Sequence, residues 1–231
     1  MVLACHNITK AFGEQVIVKS GSFHIEEREK VALIGSNGAG KSTILKMIVK
    51  ELEPDEGEIV IAKGKTIGYL SQHQDLSGSR TIIEELKTAK QELIVLEKQI
   101  RVLEYEMKHL EGEDLEARLH SYHLLNARFE QENGYAFQSE LVGVLKGLGF
   151  TEEDFHKPIG KLSGGQKTRV FLSRLLLSNP DIILLDEPTN HLDPETQVII
   201  AENFKNYEGT IIMVSHNPIF TSHIDINRML I

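Results

Sequence analysis

The stretch Gly35-Ser36-Asn37-Gly38-Ala39-Gly40-Lys41-Ser42-Thr43 fits Gly-x-x-x-x-Gly-Lys-Ser, a loop whose backbone amides wrap a phosphate. It constrains the fold because it needs a strand before it and a helix after it. Lys30-Val31-Ala32-Leu33-Ile34 reads as a buried strand, and Ser42 to Lys50 as a helix with Ile44, Leu45, Ile48 and Val49 as its apolar stripe. Glycines let successive N–H groups curl around an anion with no Cβ in the way. The helix N-terminus adds the positive end of its dipole. In such a loop Lys41 reaches the β- and γ-phosphates of a nucleotide, and Ser42 holds Mg²⁺.

The flanking chain alternates between strand and helix. Residues 2–8 and 16–25 read as strands around the turn Ala11-Phe12-Gly13-Glu14, and Pro54-Asp55-Glu56-Gly57 is a turn. Glu58 to Ile61 and Lys65 to Leu70 read as strands around Lys63-Gly64, the second ending in the polar run Ser71-Gln72-His73-Gln74-Asp75. Farther on, Ser139 to Leu148 is a short amphipathic helix, and Leu162-Ser163-Gly164-Gly165-Gln166 leads into a helix from about Lys167 to Leu177. Asp181 to Glu187 is an apolar strand ending in two carboxylates, Glu195 to Asn206 is helical, and the strand Thr210 to Val214 is capped by Ser215-His216. Asp225 to Ile231 resembles the start of a strand, with no terminal helix after it. Alternation of this kind implies a mostly parallel sheet.

Between these halves the period changes. Leu86, Leu93, Leu96, Ile100, Leu103, Met107 and Leu110 make a heptad seam. Gly112 interrupts it, and Leu115, Leu119, Tyr122, Leu125 and Phe129 form a second, looser stripe closed by Asn133-Gly134-Tyr135. Residues 81–133 are expected to form an inserted helical hairpin, an arm within a domain spanning 1–231; the alternative packs both helices into the domain core. Residues 84–133 carry 7 Lys/Arg against 12 Asp/Glu, so the arm is acidic.

A chain of 231 residues accommodates one large domain with an insertion. A single cysteine, Cys5, excludes an internal disulfide, fits a reducing compartment, and is expected to be a small buried hydrophobe. No apolar run approaches the roughly 18 residues of a membrane span, and no basic region precedes a long apolar segment at the start, so neither a membrane segment nor a signal peptide is expected. The formal charge of −9 argues against bulk electrostatic attraction to nucleic acid.

Lys41 in its loop, Gln72 after a strand, Ser163-Gly164-Gly165-Gln166 at a helix start and Asp186-Glu187 at a strand end, in that order, resemble the nucleotide-binding domain of the ATP-binding cassette superfamily. Asp186-Glu187-Pro188-Thr189-Asn190-His191-Leu192-Asp193 and the insertion between Gln72 and Ser163 resemble its ABC-F class, and specifically the first of two cassettes in a bacterial protein. The fold so implied is α/β: a P-loop NTPase core with an antiparallel β subdomain, a mostly parallel sheet, a helical signature subdomain and the inserted hairpin.

The resemblance also implies roles. ATP and Mg²⁺ are the expected cofactors. Phe12 stacks on adenine, or else is ordinary core. Gly35, Ser36, Asn37, Gly38, Ala39, Gly40, Lys41, Ser42 and Thr43 bind the nucleotide. Ser42, Gln72 and Asp186 hold the metal, with Gln72 also counted in the catalytic set. Glu187 orients or deprotonates the attacking water, and His216 contacts the γ-phosphate. Ser163, Gly164, Gly165 and Gln166 serve a nucleotide held by another cassette, with Asp193 at the seam between them. The family after His216 continues with an acidic and then a basic residue, whereas here Asn217-Pro218 follow, and proline removes a backbone donor.

The implied activity is ATP hydrolysis in the cytoplasm, weak for one cassette alone. It is coupled to the ribosome, its rRNA or tRNA, in translation or antibiotic protection. The alternatives are the ATPase subunit of a transporter and a nucleotide-binding module with little turnover.

Overall fold

The computed structural model describes residues 1–71, 78–190 and 192–230. Two sheets divide the strands. β1 (Leu3–Phe12) and β2 (Gln15–Ile25) form a hairpin whose turn is only Gly13-Glu14, so Ala11 and Phe12 lie in strand rather than in the expected four-residue turn. Gly13 takes the left-handed φ of 60° that this tight turn requires. β4 (Glu56–Ile61) pairs with the other edge of β1, giving an antiparallel sheet in the order β2-β1-β4. Here Gly57, at φ 83°, lies so close to β1 that a Cβ would stand 2.3 Å from the His6 carbonyl oxygen.

The second sheet holds β3 (Lys30–Leu33), β5 (Ile67–Leu70), β6 (Ile182–Asp186), β7 (Thr210–Val214) and β8 (Arg228–Leu230). All pair in parallel, in the order β5-β6-β7-β3-β8. β4 and β5 are neighbours in sequence yet join different sheets. Every residue of β6 and β7 is buried, as a parallel strand covered on both faces must be. α1 (Lys41–Ile48) covers one face, its Leu45, Met47 and Ile48 packing with Val31, Leu33, Leu184 and Ile212. The other face packs against Leu172 and Leu175 of α6 (Gly164–Ser178) and Ile200, Ala201 and Phe204 of α7 (Pro194–Lys205). A short α8 (Pro218–His223) closes this side through Phe220. Cys5 is 1% exposed, a core residue as expected.

The heptad seam is not one helix. Leu86 belongs to α2 (Ile82–Lys87), which a turn of 3₁₀ helix over Thr88–Lys90 separates from α3 (Gln91–Glu106). The return helix is α4 (Gly112–Gln131), and ion pairs Arg128–Glu92 and Arg118–Glu106 cross between the antiparallel helices. Burial falls along this hairpin. Leu93, Leu96, Ile100 and Phe129 share a core with Phe137, Leu141 and Leu145 of α5 (Phe137–Gly147) and Val170 of α6. Met107 and Leu110, at the far end, are only half-buried. The root is thus core, and the outer part stands away from it.

Candidate active site

The phosphate loop is built by two glycines in particular. Gly40, the residue before α1, has φ 91°, and a Cβ there would meet Ile17 Cγ2 at 2.8 Å. Gly38 has φ 81° with nothing within 4 Å of an added Cβ, so its open side faces the cleft. Lys41 begins α1 and is largely buried; its Nζ donates to the carbonyls of Gly35 at 2.8 Å and Ser36 at 2.9 Å. The lysine is therefore held over its own loop, where a phosphate can replace those carbonyls as acceptor.

Ser42, one residue on, donates through Oγ to Asp186 Oδ1 at 2.9 Å. Asp186 ends β6 and is 2% exposed. Burial pushes its carboxyl above the usual range, opposed by the Ser42 hydroxyl, Lys46, the Tyr69 hydroxyl and Lys41. A buried carboxylate beside a hydroxyl oxygen fits a hard divalent cation. Among the described residues no three His, Cys, Asp or Glu side chains cluster as a complete metal cage.

Glu187 follows with φ 51°, a left-handed conformation costly for a long side chain. Its amide donates to Val214 O at 2.9 Å, and Asn190 N donates to its carbonyl, so strand and turn hold the conformation in place. His216 stands just beyond β7, its Nε2 3.4 Å from Glu187 Oε1. Asn217-Pro218 starts α8 directly after the histidine. Asn217 caps α8, its Oδ1 accepting from Ile219 N and Phe220 N, while its Nδ2 donates to Gln197 of α7 at 2.7 Å. Pro218 occupies the first helical position, where a missing N–H costs nothing.

Gly38, Gly40, Lys41, Ser42, Glu187 and His216 line one cleft of about 570 Å³, together with Phe12, Ile17, Asn37, Thr43, Asn190 and Val214, while Asp186 lies behind Ser42. Phe12 is 53% exposed, so the core alternative for it does not hold. Lys10 stands 5.9 Å from its ring centroid and pairs with Asp55, whose second oxygen accepts from Ala11 N. Gly35, Ser36 and Ala39 line a separate pocket behind the loop rather than the cleft. Asn190 is a cleft residue that sequence reasoning treated only as part of a motif. Gln72 and His191 lie outside the described residues.

Ser163 to Gln166 and Asp193 are not among the cleft residues. Ser163 caps α6 in a capping box: its Oγ accepts from Gln166 N, and Gln166 Oε1 accepts from Ser163 N at 3.0 Å. Ser163 and Gly164 are exposed, which presents this helix start to the surroundings. Asp193 caps α7, accepting from the amide and hydroxyl of Thr196, which hold its carboxyl below the usual range.

Comparison with known proteins places this geometry. A family profile described as "ABC transporter" matches residues 18–190. The chain is 35% identical over 221 residues to ABC transporter F family member 5 of Arabidopsis thaliana, covering 94% of this chain and 32% of the relative. It is 33% identical over 223 residues to the tylosin resistance ATP-binding protein TlrC of Streptomyces fradiae, covering 96% and 41%. Among solved structures, the dimeric MJ0796, a bacterial ABC transporter cassette, superposes with TM-score 0.68 at 25% identity, covering 96% of this chain and 90% of that one. The chain spans between 35% and 43% of the length of the first curated relatives it matches.

Proposed function

The chain belongs to the ABC transporter family, with the ATPase cassette fold, and on that premise we propose that it is one cassette, the first of two, of an ABC-F-class ATPase. ATP lies in the cleft with its base on Phe12 and its phosphates between Lys41 and the backbone of residues 35–43. Ser42 and Asp186, with Gln72, hold Mg²⁺, which supplies charge neutralisation on the phosphate oxygens. Glu187 orients or deprotonates the attacking water, and His216 holds the γ-phosphate. Catalysis of this kind is positioning plus electrostatic stabilisation.

The observation that carries the composite-site reading is the exposure of the capped start of α6. Its Ser163, Gly164, Gly165 and Gln166 share no cleft with Lys41. A helix N-terminus of this kind suits the γ-phosphate of a nucleotide bound elsewhere. The partner is a second cassette, from the same longer chain or from a second copy, with Asp193 at the seam. The ABC-F assignment is supported by the Asp186 to Asp193 motif, the helical hairpin and the F-family relative. Ribosome-coupled action in the cytoplasm, in translation or antibiotic protection, follows from that class, and the name of TlrC points in the same direction. The test is Glu187→Gln in a two-cassette chain. It should hold ATP and co-sediment with ribosomes in its presence; co-sedimentation that ATP leaves unchanged contradicts the proposal.

The likeness to MJ0796 favours a second reading, the ATPase subunit of a transporter. No helix among the described residues is long and apolar enough to cross a membrane, so this reading requires a membrane-spanning partner outside the described residues, in a separate subunit or elsewhere in a longer chain. Co-purification with one would establish it.

A further inference from the structure

One buried hydroxyl beside the candidate metal pair stops short of a full hydrogen bond. Tyr69 lies on β5, paired with Leu184 of β6. Asp186 follows Leu184 by two residues, so Tyr69 and Asp186 share a sheet face as diagonal neighbours within reach of a long side chain. That face is the one covered by α1, because Tyr69 packs with the cluster containing Leu45, Met47 and Ile48. The Tyr69 hydroxyl is buried and makes no hydrogen bond of full geometry, yet it already leans on Asp186, helping to hold that carboxyl down while its own phenol is pushed up. A buried hydroxyl short of a full hydrogen bond carries a desolvation penalty. A phenylalanine would fill the same space without that penalty.

We infer that Tyr69 is a positioning residue of the divalent-cation site. In the structure Ser42 Oγ donates to Asp186 Oδ1. A cation would take Ser42 Oγ away from this role, and Tyr69 is the buried hydroxyl that would still donate to Asp186. It would thereby keep that carboxylate oriented with Ser42 engaged. Residues behind metal ligands are worth about 10–100-fold in metal affinity. The inference rests on the reading of the cleft as a Mg-ATP site.

The experiment compares wild type with Tyr69→Phe. It measures thermal midpoint without ligand, affinity for a non-hydrolysable ATP analogue in EDTA, and Mn²⁺ binding to the analogue complex by electron paramagnetic resonance. The expected result has opposed signs. The ligand-free midpoint is unchanged or raised, analogue affinity in EDTA is unchanged, and the Mn²⁺ needed for half-saturation rises about tenfold. Unaltered Mn²⁺ affinity in Tyr69→Phe overturns the proposal alone, as does a lowered ligand-free midpoint with the Mn²⁺ affinity kept. A wild-type chain that binds no Mn²⁺ with the analogue overturns both the proposal and the ATP-site reading.

Discussion

His216 Nε2 stands 3.4 Å from Glu187 Oε1. The contact joins the ends of two adjacent parallel strands, since Glu187 follows β6 and His216 follows β7, and Glu187 N donates to Val214 O. It places a carboxylate and an imidazole at the rim of the phosphate loop, where a water and a γ-phosphate would meet. Glu187→Gln keeps the size and the left-handed backbone while removing the carboxylate proposed as the base. Turnover should fall about 100-fold or more, with ATP analogue affinity retained in a binding titration. A variant that still turns over at wild-type rate removes Glu187 from the chemistry.

Asn217 and Pro218 give opposite expectations. Asn217 caps α8 and bonds to Gln197 of α7, so Asn217→Ala should lower stability by about 1 kcal/mol in urea denaturation. Pro218→Ala should change little, because the first helical position has no intrahelical N–H bond to lose. Equal loss in both would indicate that the ring itself, not the cap, sets this corner.

Glu85 ties the root of the hairpin to α6. Its side chain is 7% exposed and pairs with Arg174 of α6 at 2.6 Å and Arg80 at 3.3 Å. Arg174 also lies 4.5 Å over the Phe171 ring. Removing one partner of a buried pair costs about 3–5 kcal/mol. Arg174 is 35% exposed, so Arg174→Leu should cost somewhat less, about 2 kcal/mol. Glu85→Leu combined with Arg174→Leu should recover part of that loss, read as denaturation midpoints of the single and double variants.

Cys5 reports on global unfolding. Burial pushes its thiol from 9.0 up to about 12. The folded state therefore keeps the proton that the unfolded state loses, and stability falls as pH rises from about 9 towards 12. At pH 8 the native chain should leave a thiol reagent unreacted over minutes, and one thiol should react fully in urea. Fast native labelling would mean that β1 opens locally.

Much of this arrangement was legible because chemistry and periodicity coincided. The phosphate loop sits between an apolar strand and an amphipathic helix, and Asp186-Glu187 ends an apolar run. Other features depended on contacts distant in sequence. Leu86 keeps the heptad spacing of Leu93, but its helix is diverted into the core with α6, so one continuous seam was expected where two helices occur. Pro218 looked like a disturbance because its effect depends on Asn217 becoming a cap. Tyr69 read as an ordinary strand residue, and only the pairing of β5 with β6 brings it beside Asp186. Asn217, Glu85 and Tyr69 all act across pairings that a linear pattern does not encode.

The central claim is that Lys41 and Ser163 serve different nucleotides, so one copy of this chain holds half of each site. The most direct measurement is ATP turnover per molecule as a function of protein concentration. Weak turnover is expected, with the rate per volume rising as the square of concentration in the dilute range. Fast turnover independent of concentration would contradict the account, because one cassette would then complete its own site.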